Sequence, residues 1–160
     1  MAWNLRDKDN HLFGFMKNMR RKSIKLIIES NLENVALVAR AVKSLCALVP
    51  VESSRIELCI AEAVTNSIEH AYGSEEGHHV EVVFTIGWDE LILSVYDTGI
   101  PMDPKLLGEK GPSSFLFNAD DLESVPRRGR GLAIIKEVMD NVTYTLDKGR
   151  NCFTMTKKIS

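Results

Sequence analysis

Apolar residues along this chain fall into runs of two alternating kinds. Ser23-Ile24-Lys25-Leu26-Ile27-Ile28-Glu29-Ser30 has the β-branched content of a strand. From Asn31 or Glu33, the spacing of Val35, Leu37, Val38, Val42, Leu45 and Leu48 predicts a helix that Pro50 closes. A second helix is expected from Val51 or Glu52 to about Tyr72, where Gly73 and Ser74 stop it. His79–Ile86 and Leu91–Tyr96 read as a hairpin around Gly87-Trp88-Asp89-Glu90, with Val83 blurring the alternation. Periodicity then disappears from 98 to 128, among Gly99, Pro101, Pro104, Gly108, Gly111, Pro112 and Pro126, as in a long lid-like loop. A helix over Leu132–Met139 and a hairpin of Val142–Leu146 with Cys152–Lys158 complete the pattern. This order predicts a two-layer α/β (α+β) sandwich: a mostly antiparallel, mixed sheet with helices on one face.

At 160 residues the chain fits one domain with a real core. A net charge of −2 gives no nucleic-acid footprint. No run of about 20 apolar residues spans a bilayer, and nothing at the start resembles a signal peptide. The expected setting is cytoplasmic, with neither nucleic acid nor membrane as a direct partner. Cys46, Cys59 and Cys152 are scattered, which suits reduced and mostly buried thiols. Arg6, Lys8, Lys17, Arg20, Arg21, Lys22 and Lys25 against Asp7 and Asp9 make the first segment basic. It is expected as a solvated arm over 1–22, preceding a domain over 23–160. An RNA, acidic-partner or membrane contact remains open for it.

Three islands carry candidate chemistry. On the second helix, Ile56, Ile60, Val64 and Ile68 form the apolar stripe, while Glu62, Asn66 and His70 recur one turn apart on another face, with Glu69 beside them. Asn66 can offer its amide oxygen to Mg²⁺, which needs few protein ligands beside phosphate. Glu62 is placed to accept a proton from an attacking hydroxyl. A solvated polar face would read the same way. Asp97 ends a strand ahead of Thr98-Gly99, where a carboxylate can take a hydrogen from an exocyclic amine; an ordinary Asx turn is the plainer account. Arg127-Arg128-Gly129-Arg130-Gly131-Leu132 opens a helix, whose free N–H groups and arginines suit phosphate. No GxGxxG and no P-loop occurs.

As a set, Glu62-x-x-x-Asn66, Asp97-x-Gly99 and Gly129-x-Gly131-Leu132 resemble the N, G1 and G2 boxes of the GHKL (Bergerat-fold) ATPases. Glu62-Ala63-Val64-Thr65-Asn66-Ser67-Ile68-Glu69-His70-Ala71-Tyr72 is similar to the pattern of the anti-sigma-factor serine/threonine kinases of partner-switching systems. The run Gly129-x-Gly131-Leu132-x-Ile134-Ile135-Lys136-x-Val138-Met139-Asp140 is the second match, and the resemblance covers about residues 23–158. It implies an ATP-dependent protein serine/threonine kinase that uses ATP and Mg²⁺. Glu62 would be the general base and Asn66 the metal ligand. His70, Asp97, Gly99, Arg128, Gly129, Arg130, Gly131, Leu132 and Asn151 would join Asn66 around the nucleotide, under a lid over 100–128. The implied partners are a STAS-domain anti-anti-sigma protein and a sigma factor or other regulatory target, with Arg40 near the nucleotide and the docked partner and a homodimer as the expected assembly.

Three departures stand out, one being that the basic N-terminal arm falls outside the match. Asp97-Thr98-Gly99-Ile100-Pro101 lacks the second glycine of the box, and Arg150-Asn151 replaces an adenine-side threonine. Alternatives from other classes are a nucleotide-gated partner-binding module without kinase activity, a structural zinc protein built on His70, His78 and His79, and an interaction domain with a degenerate pocket.

Overall fold

The computed structural model describes residues 21–103, 105–108 and 127–159, and says nothing of the side chains of 108 and 127–129. The basic arm up to Arg20 and most of the expected lid lie outside the described residues.

Strand β1 (Lys22–Glu29) is followed by helix α1 (Glu33–Cys46), helix α2 (Ser53–Asn66) and a π-helical turn over Ser67–Ala71. Strands β2 (His79–Ile86) and β3 (Glu90–Asp97), the short helix α3 (Lys105–Gly108), helix α4 (Arg127–Val138), and strands β4 (Asn141–Asp147) and β5 (Arg150–Lys158) complete the chain. The five strands form one sheet in the order β1-β2-β3-β5-β4, and every pairing is antiparallel. Helices cover one face.

Each element has a local cause. Asn31 accepts the Glu33 amide on its Oδ1 at 2.9 Å, an Asx turn that launches α1. The helix tightens after Cys46 into i→i+3 bonds, such as Val49 N to Cys46 O at 3.1 Å, before Pro50 ends it. Leu37 and Leu48, read into the apolar stripe from spacing, are 67% and 68% exposed. Strand β2 keeps strict alternation, with Val80, Val82, Phe84 and Ile86 buried, and Val83 belongs to the open face. The last hairpin turns through Lys148 and Gly149, with φ of 51° and 74°, as a two-residue turn matched to strand twist requires. Val38, Val42, Ile56, Ile60, Val64 and Ile135 pack on Phe84, Leu93, Val95 and Met155 to form the core. Each such buried side chain contributes about 1.5–3 kcal/mol.

Two expectations are corrected. The second helix does not run regularly to Tyr72: after Asn66 it widens, with Tyr72 N bonding to Ser67 O at 3.1 Å and Ser74 N to Ile68 O at 2.8 Å. The extra residue in the turn frees the Ala71 carbonyl, which takes the Ile100 amide at 2.8 Å and ties the helix end to the chain leaving β3. The last helix begins at Arg127 rather than at Leu132, so both glycines lie within its first turns. Tertiary packing overrides their poor helix propensity.

Candidate active site

The α2–π junction divides the labour between consecutive residues. Asn66, the last residue of α2, is half-buried, while Ser67, the first of the π turn, is buried. Widened turns of this kind occur often at functional positions. One side of the junction carries the acidic group and the other a polar floor.

On the acidic side, Glu62 lies one turn before Asn66 and packs against the start of α4. A β-carbon built on Gly131 would stand 2.6 Å from Glu62 Oε2, so the missing side chain of Gly131 is what admits the carboxylate. Burial pushes the Glu62 carboxyl above the usual range and the Glu69 charge adds to this, while Arg130 pulls the other way. A carboxylate raised in this way is a better base than a solvated one. Arg130 is half-buried at the same helix start. Arg128 and Gly129 lie in the first turn of α4, with side chains outside the described residues, and Leu132 is buried in the core. His70 is exposed where the π turn ends.

On the floor side, Asp97 ends β3 at 8% exposure. Its Oδ2 takes the Ser67 hydroxyl hydrogen at 2.9 Å. Its Oδ1 takes the Gly99 amide at 3.1 Å and the Asn151 amide at 2.6 Å. Asn151 is the direct cross-strand partner of Asp97 and also donates to Gly99 O at 3.0 Å. Gly99 packs on the π turn so closely that a β-carbon there would overlap the Ala71 backbone and come within 2.8 Å of Ala71 Cβ. Tyr72 braces the same loop: its hydroxyl accepts the Thr98 amide at 2.9 Å and donates to His79 O at 2.7 Å, while its ring stacks on His78 at 4.5 Å.

Ser67 and Tyr72 are functional supports that sequence reasoning left unassigned. The available signal was a hydroxyl residue three positions after Val64, on the buried side of the helix. Asn151 fills the position of the expected threonine with a side chain long enough to bond Asp97 directly.

Arg40 lies elsewhere. It is exposed on α1 and lines a groove of about 700 Å³ between α1 and α2, with Leu32, Val35, Ala39, Leu58 and Thr65. Thr65 immediately precedes Asn66 in sequence, and neither Glu62 nor Asn66 lines the groove. Among the described residues no group of three His, Cys, Asp or Glu side chains gathers as a metal site. His78 is engaged by Tyr72 and lies 3.5 Å from Glu75. Cys46 and Cys59 are buried thiols pushed up to about 11 and about 12 by burial, and Cys152 is half-buried.

The residues fit a nucleotide. A buried oxygen of Asn151, Oδ1, has no hydrogen-bond partner beside the buried carboxylate, and the Glu62 carboxylate on α2, one turn before Asn66, lies against a helix start with arginines. Such a sheet and helix layer with this site define a nucleotide-binding ATPase domain. Residues 28–157 match the family model of the histidine kinase-like ATPase domain. The chain is 30% identical over 144 residues to serine-protein kinase RsbW of Bacillus cereus (strain Q1), covering 88% of this chain and 87% of that protein. It is 32% identical over 106 residues to serine-protein kinase RsbW of Listeria monocytogenes serovar 1/2a, covering 66% of this chain and 65% of that one. A match to RsbW of Bacillus cereus (strain AH187) is 33% identical over 105 residues, covering 65% of this chain and 62% of the relative. The nucleotide-free catalytic domain of histidine kinase ThkA superposes with a TM-score of 0.52 at 13% identity, covering 88% of this chain and 97% of that one. The chain belongs to the histidine kinase-like ATPase family, within the GHKL (Bergerat-fold) superfamily and alongside the RsbW serine-protein kinases.

Proposed function

We propose that the chain is an anti-sigma-factor-type serine/threonine protein kinase. It binds Mg-ATP, phosphorylates a serine or threonine of a STAS-domain anti-anti-sigma partner, and sequesters a sigma factor or other regulatory target. The observation that carries this reading is the Glu62 carboxylate held against Gly131, one turn from Asn66 and level with the start of α4.

In this reading the substrate hydroxyl gives its proton to Glu62 as its oxygen bonds to the γ-phosphorus; the bond to ADP breaks and ADP leaves with the electron pair. Most of the task is positioning and charge neutralisation. Mg²⁺, with Asn66 as its protein ligand, would neutralise phosphate charge when bound. Arg130 and the free N–H groups at the start of α4 support the phosphates. Asp97 receives the adenine amine on a floor fixed by Ser67, Gly99 and Asn151. The groove at Arg40 receives the partner. The protein works as a cytoplasmic homodimer. No described helix is long and apolar enough to cross a membrane, which is compatible with that setting.

Labelled-phosphate transfer from ATP to a STAS-domain protein tests the reading, alongside calorimetric binding of Mg-ATP. Wild type should bind and transfer. Glu62→Gln should bind but lose about 10²–10⁴ in transfer rate. Asn66→Ala should lose magnesium-dependent affinity. Wild-type binding with no transfer to any STAS-domain acceptor would favour a nucleotide-gated binding module instead.

A further inference from the structure

On the open face of the sheet, away from the helices, a clamp of side chains crosses three strands. Arg150, the first residue of β5, lays its guanidinium over the Tyr96 ring on β3, with Cζ 4.1 Å from the ring centroid. Beyond the ring its Nη2 bonds Glu81 Oε1 on β2 at 2.8 Å, and Lys25 Nζ on β1 reaches the same oxygen at 3.0 Å. Adjacent strands lie about 4.8 Å apart, so the arginine must extend across the whole of β3 to reach β2. The Glu81 side chain is 18% exposed. Burial pushes its carboxyl up, but the bonds from Lys25 and Arg150 outweigh this and hold it below the usual range. Both ends of the clamp are therefore charged at neutral pH.

The clamp lies at the end of a ladder. Pairing between β3 and β5 runs from Glu90 with Lys158 to Asp97 with Asn151, so the last two residues form its terminal rung. Strand ends open more readily than strand centres. Side chains alternate along a strand, which puts Tyr96 and Arg150 on the face opposite Asp97 and Asn151. Tyr96 lies one residue inside the ladder and Arg150 one residue beyond it. The guanidinium on the ring thus bridges the terminal rung from behind. Past that rung, Arg150 pairs with Asp147 of β4 in the last hairpin, so the clamp ties the tip of the hairpin to β3 and β2.

Resting on the nucleotide reading above, we propose that Arg150 is a positioning residue for nucleotide binding. Its side chain lies on the far face of the sheet and touches no ligand. By gripping Tyr96 and Glu81 it keeps the terminal rung closed, and with it the placement of Asp97 against Asn151. Apparent affinity scales with the fraction of molecules in the competent arrangement, so a rung that opens more often binds more weakly. Partly exposed ion pairs add little to global stability, so the clamp acts on this local equilibrium more than on the whole fold.

Amide hydrogen exchange of the full chain without nucleotide tests the clamp, and calorimetric titration with ADP and magnesium tests its consequence. In Arg150→Gln, peptides over 94–99 and 148–153 should exchange about five- to tenfold faster than in wild type, the loss expected for one partly exposed ion pair with its ring contact. The ADP Kd and the KM for ATP should rise by about the same factor. The kcat at saturating ATP should hold, because Glu62 and α4 are untouched. Glu81→Ala removes the anchor and should shift exchange and Kd in the same direction, and the double variant should lose no more than Arg150→Gln alone. Wild-type exchange at both segments in Arg150→Gln, or faster exchange with an unchanged ADP Kd, would overturn the assignment and leave the nucleotide reading intact. A lowered urea midpoint with a wild-type Kd would make Arg150 a structural residue only and overturn it equally. Failure of wild type to bind ADP would overturn the nucleotide reading and this inference with it. If Arg150→Gln does not fold, Glu81→Ala decides: unchanged exchange and Kd there reject the proposal.

Discussion

Gly131 lacks a side chain where the Glu62 carboxylate lies, with 2.6 Å between Oε2 and the place a β-carbon would occupy. The glycine next to the expected phosphate site therefore serves the acidic group on the neighbouring helix. Because the crowded atom is the far end of a flexible side chain, a methyl at 131 would turn the carboxylate aside at little cost to the fold. Gly131→Ala should keep its unfolding free energy within about 1 kcal/mol of wild type. Its phosphate transfer should fall by about 10²–10⁴, as for loss of the base itself. Denaturant titration and a transfer assay on one preparation check both halves; a stable, fully active variant would remove Glu62 from the chemistry.

Gly99 is a contrasting case, since the β-carbon there meets backbone. Ala71 C would lie 2.5 Å away and Ala71 Cβ 2.8 Å, and neither can swing aside. Gly99→Ala should destabilise the protein by about 1–3 kcal/mol. It should also lower nucleotide affinity, because the Asp97–Gly99 loop must leave the π turn. Urea unfolding and ADP titration report the two effects, and wild-type values in both would contradict this packing role.

The raised carboxyl of Glu62 has a defined sign in stability. With its folded pKa above the unfolded one, the group's favourable contribution is full below the ordinary glutamate range and is lost as pH rises through the folded pKa. Relative to Glu62→Gln, wild type should therefore lose ground between acid and neutral pH. Glu62→Gln should be the more stable protein at pH 7, with the gap closing toward pH 4. Transfer should have its acid limb above the usual glutamate pKa, since the base must be ionised. Thermal unfolding of both proteins across this range is the measurement; a gap independent of pH would mean that Glu62 is solvated.

At Asp140 the sign is opposite. Its Oδ2 accepts the Lys158 amide at 2.6 Å and its Oδ1 pairs with Lys157 at 3.3 Å, and these contacts hold its carboxyl below the usual range, the amide bond contributing most. A lowered folded pKa contributes stability above the unfolded value and loses it as pH falls through the folded one. Asp140→Ala should cost about 1 kcal/mol at pH 7, modest because the side chain is partly exposed. The deficit should shrink at acid pH without changing the ADP Kd.

Arg40 offers a readout independent of the nucleotide. It is exposed beside apolar side chains, the setting in which an interface arginine acts as an anchor. Arg40→Glu should weaken binding of a STAS-domain partner by at least tenfold while leaving the ADP Kd unchanged. Surface plasmon resonance against the partner, with calorimetry on ADP, separates the two; undiminished partner affinity would place docking elsewhere.

Much of the site was legible because its chemistry is local. Glu62 and Asn66 are one helical turn apart, and a spacing of four places them on one side of α2 without knowledge of any other element. Asp97 was legible because a polar residue closing an apolar strand has to end at a sheet edge or loop. His70 was read by the same periodicity, yet it ends exposed beyond the point where the helix widens. No residue pattern near Ser67 announces a π turn. It forms where the freed Ala71 carbonyl meets the Ile100 amide, a contact between positions 71 and 100 that sequence spacing does not encode.

The sequence by itself determined the order of the main elements, the buried face of β2 and most of that of α1 and α2, and the three islands of polar residues, because these follow from periods of two or about four along the chain. Tertiary structure decided what those residues touch. Burial of Ser67 against Asp97, the pairing of Asp97 with Asn151, and the fit of Glu62 over Gly131 all join residues 30 or more positions apart. Such contacts depend on strand register and on how closely helices approach, and both are set by packing of the whole core rather than by any local run. Hence the glycines at 99 and 131, legible as marks of a site, gained their physical reasons only when backbone and carboxylate were seen to occupy the space beside them.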